Sequence, residues 1–241
     1  MKGLTPLLCS PFRLKAWKFA IDLLNRGELS PDDLRQYVNC FKEMLSSPEA
    51  WELIPALLDK GILDLSKEEK TILLNFLSDE DEHKRLIAWN LVPIFVDKSI
   101  VTTDEVRRRK ADFLSLLISS DRKLCLKSWN LVIALMERGV IDKSDVDQFL
   151  SFLTCLDHLV RSKAWNCVLL LINKGIIDKS YSQYFLSLLS YERLSIRLDA
   201  WKHVPELMDK KIISAEKVRK LVDNVKISNE IINELKNRGI I

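Results

Sequence analysis

Apolar residues recur along the chain at helical spacing, and six tryptophans mark the period. The positions three and seven residues after each tryptophan are apolar, which puts three apolar side chains on one face of an α-helix. A small residue, Ala or Ser, precedes each tryptophan. The pattern predicts six equivalent helices, the first helix of each of six repeats. The tryptophans lie 34 to 40 residues apart, at Trp17, Trp51, Trp89, Trp129, Trp165 and Trp201.

The end of each first helix is also repeated. The ninth residue after each tryptophan is Lys or Arg, and the tenth is glycine in four repeats, with Ser99 and Lys211 as the exceptions. Glycine adopts the left-handed conformation that ends many helices, and a cation there meets the negative end of the helix dipole. We therefore interpret the six basic residues as solvated helix ends and not as a ligand site.

A second helix is predicted after each of these turns. Its clearest form is Phe-Leu-Ser-x-Leu, at 113–117, 149–153 and 185–189, with a related run at 73–77. Ser30 and Thr102, each followed by acidic residues, are typical helix-start signals. No strand-like alternation of period two occurs, so the sequence predicts an all-α protein built from helix pairs.

The junction from Asp157 through Arg161 to Ala164 and Trp165 resembles the HEAT-repeat pattern D-x-x-V-R-x-x-A-A, with Trp in the second Ala position. Arginine four residues before the tryptophan recurs, and prolines occur four residues after it, at Pro55, Pro93 and Pro205. The resemblance implies an α-solenoid, bent first helices, and Arg–Asp pairs, such as Arg85 with Asp81, that bridge neighbouring repeats.

We therefore expect one solenoid domain over residues 1–241, of about six HEAT-like repeats. A partial helix at 1–10 and a short capping helix at 229–239 would close its ends. The repeats are predicted to begin near residues 11, 48, 84, 124, 160 and 196.

The composition of the chain also predicts its cellular compartment. Net charge is +3 with 47% hydrophobic residues, and neither a signal-peptide core nor a membrane-length apolar run is present. The odd number of cysteines, with no CxxC pair, predicts reduced, buried thiols and a cytoplasmic protein. The scarcity of Gln favours a thermophilic source. The cysteines are Cys9, Cys40, Cys125, Cys155 and Cys167.

Two features are candidate partner-binding sites. Small polar residues recur in the second helix, which lines the concave surface in the HEAT-like family; they would admit a partner or merely allow tight helix packing. The basic run of Arg107, Arg108, Arg109 and Lys110 would bind an acidic partner, or would be a solvated helix start. The polar column consists of Asn75, Ser115, Ser151 and Ser187.

The tryptophans are interpreted as core residues and not as partner anchors. Catalytic signals are weak, because His83, His158 and His203 are isolated and no nucleotide, metal or nucleophile motif occurs, so no cofactor or metal is predicted. The predicted function is a non-catalytic scaffold that binds a protein or peptide. No membrane partner is predicted. The alternative is a nucleic-acid-binding solenoid, including a DNA-repair enzyme resembling the alkylpurine glycosylases.

Overall fold

The computed structural model describes residues 4–222, 229–237 and 239. Within these residues every regular element is helical and no strand occurs, which confirms the all-α prediction. Backbone contacts divide the chain into two compact units, Met1–Ile141 and Asp142–Ile241, here called the N-terminal and C-terminal units. The single solenoid domain stays a prediction.

The N-terminal unit begins with a 3-10 helix, Thr5–Cys9, where a partial α-helix was predicted; residues 1–3 lie outside the described residues. Its α-helices are α1 (Arg13–Asn25), α2 (Pro31–Arg35), α3 (Val38–Lys42), α4 (Pro48–Trp51), α5 (Ile54–Asp59), α6 (Lys67–Phe76), α7 (Glu82–Asp97), α8 (Thr103–Arg107), α9 (Lys110–Leu116) and α10 (Arg122–Glu137).

The C-terminal unit continues the alternation of first and second helices, with 3-10 turns at Lys143–Asp145, Phe152–Thr154 and Lys179–Tyr181. The predicted cap is present as a helix, although residues 238, 240 and 241 lie outside the described residues. The α-helices are α11 (Val146–Ser151), α12 (His158–Asn173), α13 (Ser182–Leu189), α14 (Leu194–Lys202), α15 (Val204–Asp209), α16 (Ala215–Val222) and α17 (Asn229–Asn237).

Side-chain caps start the helices where the sequence indicated. Ser30 and Thr102 each form a capping box with the residue three positions later, so their helices begin with satisfied backbone N–H groups. Asp81 and Asp157 accept hydrogen bonds from the first backbone N–H groups of α7 and α12. These two aspartates therefore act as N-caps, a role different from the inter-repeat pairing that the HEAT resemblance implied.

The helix ends confirm the left-handed turn. Gly27, Gly61, Gly139 and Gly175 have φ between 61° and 75°, and Ser99 and Lys211 take the same conformation at 56° and 59° without being glycine. In each turn the next residue's N–H reaches back to close the last helical turn, as from Ile100 to Phe95 at 2.9 Å. The turn is thus set by the repeat and not by glycine alone.

The three prolines do not behave alike. Pro93 lies inside the continuous helix α7. Pro55 and Pro205 follow interruptions, between α4 and α5 and between α14 and α15, and each sits in the first turn of the new helix. A proline in a first turn sacrifices no helical hydrogen bond, because the N–H there has no partner in any case. The predicted bend is therefore a break in two repeats.

The six tryptophans form the core, as predicted. Each is at most 1% exposed, and Phe113, Phe149 and Phe185 of the second helices are equally buried. Trp17 packs edge-on to Phe41 with ring centroids 5.2 Å apart, and Trp89 lies 5.1 Å from Phe113. The tryptophan column is thus a packing feature.

The cysteine prediction was wrong for one pair. Cys9 and Cys40 form a disulfide with Cα atoms 5.1 Å apart, joining the Thr5–Cys9 turn to α3. The sequence did not predict this disulfide because the two cysteines are 31 residues apart and neither is buried. Cys125 and Cys167 are buried free thiols, as predicted, whereas Cys155 is partly exposed. Burial raises the pKa of Cys167 to about 12, so that thiol stays protonated.

Candidate functional site

The polar column falls at one register position of four second helices. Asn75, Ser151 and Ser187 are exposed, and Ser115 is partly buried. The flanking residues of each are buried, for example Leu186 and Leu188 around Ser187. Three of the four side chains therefore face solvent, so tight helix packing does not explain them.

The serine hydroxyls are held in one orientation. Ser115, Ser151 and Ser187 each donate a hydrogen bond to the carbonyl three residues earlier, at 2.6–2.7 Å. With its single proton engaged, each hydroxyl oxygen retains lone pairs for an incoming donor. Ser115 receives one such bond from Arg85, at 3.5 Å. Each of these hydroxyls can therefore accept a hydrogen bond from a partner.

The basic run is not a single charged surface. Arg107 ends α8, Arg108 and Arg109 form the break between helices, and Lys110 begins α9. The run therefore spans the end of α8 and the start of α9. The segment from Ser99 to Phe113 is four residues longer than the equivalent segments of the next two repeats. It contains α8, where those repeats have 3-10 turns.

Arg107 and Arg109 have structural contacts. The Arg107 Nε donates to the carbonyl of Gly139, 3.1 Å away, and Arg35 makes the same contact with Gly61 at 3.0 Å. Arg109 Nη1 donates to the Glu105 carbonyl at 3.1 Å. Arg107 thus closes the end of a neighbouring first helix, which reduces what the run can offer to an acidic ligand.

Two of the basic residues at helix ends form ion pairs between repeats. Lys98 pairs with Asp59, and Arg138 binds Asp97 through both Nε, at 2.9 Å, and Nη2. The guanidinium of Arg138 lowers the pKa of Asp97. These two cations therefore connect neighbouring first helices, a role beyond the solvated end that the sequence suggested.

Three of the four arginines that stand four residues before a tryptophan share one contact. Arg85, Arg161 and Arg197 each donate from Nη1 to the carbonyl six residues earlier, at 2.6–2.9 Å. This bond closes the end of the preceding second helix. Arg161 also pairs with Asp199, 38 residues later, through Nε at 2.7 Å and Nη2 at 2.6 Å. A bridge between repeats therefore exists, with a different acid from the one predicted.

Arg161 belongs to a cavity that sequence reasoning missed. The cavity has a volume of about 640 Å³, within the range of small-molecule sites. Its walls come from α12, α14, the junction before α15, and α17, all within the C-terminal unit. Arg161 is only 2% exposed, which is rare for a charged side chain. Asp199 and Lys202, 3.2 Å apart, line the cavity with it.

An aromatic pair forms another part of the wall. Trp165 and His203 stack with ring centroids 4.5 Å apart and planes inclined by 28°. Burial lowers the pKa of His203, so the imidazole is neutral at pH 7. His203 stands two residues after Trp201, where the other repeats carry apolar residues. That substitution, compared across repeats, is the sequence signal that would have indicated the cavity.

The Trp165 indole N–H is the exception in the tryptophan column. Trp89, Trp129 and Trp201 donate to the carbonyl twelve residues earlier, at 2.9–3.2 Å. Trp165 Nε1 is buried and has no hydrogen-bond partner among the residues that the structure describes. Leu153, its equivalent carbonyl residue, lies in the 3-10 turn Phe152–Thr154. The cavity is therefore lined by a residue with an unsatisfied donor.

No group of three His, Cys, Asp or Glu residues suited to a metal ion occurs in residues 4–222, 229–237 and 239. Within the same described residues, no helix is long and apolar enough to cross a membrane.

No known protein family profile matches the chain. An uncharacterised protein from the sor 5′ region of the thermophilic archaeon Acidianus ambivalens is 37% identical over 75 residues, 30% of this chain and 32% of that protein. The chain thus matches about a third of that relative's length. An engineered protein of known crystal structure aligns with 87% of this chain and 97% of its own at 14% identity, with a TM-score of 0.39. That score is too low to support a conclusion about the fold.

Proposed function

We propose that the chain is a non-catalytic scaffold that binds a protein or peptide. In this proposal the two-helix repeats stack as a HEAT-like α-solenoid, and the second helices present Asn75, Ser115, Ser151 and Ser187 to the partner. The observation that carries it is the shared register of this column, with three of its four residues exposed above buried flanks. Repeat proteins bind extended partners through such regularly spaced positions.

The nucleic-acid alternative has less support. Phosphate binding draws on clustered, available cations. Arg107 and Arg109 are engaged with backbone carbonyls, and the run is divided between two helices. We favour a protein partner for this reason.

A cytoplasmic location is part of the proposal. The Cys9–Cys40 disulfide departs from the reduced thiols expected there. Intracellular proteins of hyperthermophilic archaea are rich in disulfides, so a thermophilic source would reconcile the two.

The test is co-purification of partners from the source organism, quantified by mass spectrometry. The variant Ser115→Arg/Ser151→Arg/Ser187→Arg places long charged side chains on the column and should lose most of the specific partner. The matched control, Asn90→Arg/Asn166→Arg, changes exposed residues of the first helices α7 and α12 and should retain it. Equal recovery by both variants would contradict the proposal, as would recovery of nucleic acid alone.

A further inference from the structure

The Arg, Lys and Asp side chains of the cavity in the C-terminal unit leave one surplus positive charge. Arg161 and Lys202 are two cations around a single carboxylate, that of Asp199. Arg161 is committed to Asp199 and to the Cys155 carbonyl. The Lys202 ammonium lies 3.2 Å from the Asp199 carboxylate. An ammonium group has three hydrogen-bond donors and no acceptor. A ligand that fits must therefore bring acceptors.

The unsatisfied indole N–H supports the same conclusion independently. A buried donor without a partner is costly, and native structures retain few of them. The other tryptophans show that a carbonyl is the usual partner at this position. Trp165 lines the cavity, so an acceptor oxygen of a bound ligand that reached this buried N–H would complete its hydrogen bonding.

The rest of the wall combines polar side chains, His158, Ser162 and Ser195, with an apolar part. Leu198 from α14 and Ile231 from α17 line the cavity beside the stacked rings of Trp165 and His203. One surplus positive charge suits a monoanion better than a doubly charged phosphate. The apolar surface suits a hydrocarbon or aromatic body.

We infer that this cavity binds a small organic carboxylate, with the Trp165 N–H and Lys202 directed to the carboxylate and Leu198 and Ile231 in contact with its apolar body. The site is separate from the polar column of the second helices, because its walls come from α12, α14, α17 and the junction at His203. Loss of one site therefore leaves the other testable.

The test is a titration of the full chain with benzoate, followed through the indole ¹H–¹⁵N resonances of the six tryptophans. The Trp165 resonance is assigned by its disappearance in Trp165→Phe. Benzoate should shift that resonance saturably at concentrations up to about 10 mM, a range that saturates a Kd near 1 mM. Benzamide, which has the same shape without the charge, should bind at least about fivefold more weakly, and inorganic phosphate should shift nothing.

Two variants and a control locate the site. Trp165→Phe keeps the ring and removes the donor, so the benzoate Kd, measured by calorimetry, should rise about tenfold. Lys202→Met removes the exposed charge and should raise Kd about threefold. Lys174→Met removes a comparable charge from the exposed end of α12 and should leave Kd unchanged.

Several results would overturn the inference. They are the absence of a saturable Trp165 shift, equal binding of benzamide, a phosphate-induced shift of the same resonance, and an unchanged Kd in Lys202→Met. The last of these stands even if Trp165→Phe fails to fold.

Discussion

Helices α7 and α12 have the same length and carry a tryptophan at the same position, yet the two indoles meet different surroundings. Trp89 in α7 donates to the Leu77 carbonyl at 3.0 Å and packs against Phe113. Trp165 in α12 is just as buried, but it stacks on His203 beside a cavity and its N–H has no partner. The repeat therefore determines burial, while neighbouring residues determine polar satisfaction.

Replacing either tryptophan with alanine should have the largest effect on the free energy of unfolding. Trp89→Ala and Trp165→Ala each remove a large, fully buried side chain and should lower the free energy of unfolding by about 3–5 kcal/mol. Chemical denaturation measures both. Lys174→Ala, at an exposed helix end, should change it by about half a kcal/mol or less. An unchanged midpoint for Trp89→Ala would mean that the tryptophan column is not the core.

The next largest effect is expected at the Arg161–Asp199 ion pair beside the cavity. Asp199→Ala leaves the buried Arg161 guanidinium without its carboxylate and should cost about 3 kcal/mol. Arg161→Leu/Asp199→Leu removes both charges and should recover most of that loss. Thermal or urea unfolding of the two variants compares them. If the double variant is the less stable, the pair contributes more than it costs to bury.

The two tryptophan sites should also differ in their response to acid. Burial lowers the folded-state pKa of His203, with Asp199 opposing and Lys202 reinforcing the shift. The unfolded chain therefore takes up the proton first, so His203 stabilises the fold above about pH 6.5 and loses this contribution as the pH falls below that value. His203→Gln should flatten the stability profile below about pH 6.5. A profile identical to that of the parent would contradict the assignment.

The smallest effect concerns how the two helices end. Ser99 after α7 has φ 56°, and Gly175 after α12 has φ 69°. This left-handed conformation is strained for a residue that has a Cβ atom, such as Ser99, and not for glycine. Ser99→Gly should therefore stabilise the N-terminal unit by about half a kcal/mol, after allowing for the greater freedom of glycine in the unfolded chain. Gly175→Ala should destabilise by a similar or larger amount. The urea unfolding midpoints of the two variants measure both effects. A loss of stability in Ser99→Gly would contradict the backbone strain assigned to Ser99.

Much of the fold followed from local pattern. The Trp spacing, the capping residues around Ser30 and Thr102, and the turn after each first helix are determined within a few residues, and all are present in the structure. The prediction of six helix pairs relied on that same local information. The stacking of the repeats into a solenoid is a long-range property, and it remains a proposal.

The missed features are those that depend on distant residues. Cys9 and Cys40 meet across 31 residues, and Arg161 meets Asp199 across 38. Neither pairing has a local signature. His203, which lines the cavity, stands where the other repeats carry apolar residues. Leu153 lies in a 3-10 turn, and Trp165 lacks the carbonyl partner that three other tryptophans have.

One pair of variants tests the contrast between the two tryptophans most directly. Trp89→Phe and Trp165→Phe remove the same atoms from equally buried rings, but only Trp89 loses a hydrogen bond and leaves a carbonyl unpaired. In chemical denaturation, Trp89→Phe should therefore be less stable than Trp165→Phe by about 1 kcal/mol. Equal losses, or a greater loss in Trp165→Phe, would show that the Trp165 N–H is satisfied in solution and would contradict the account.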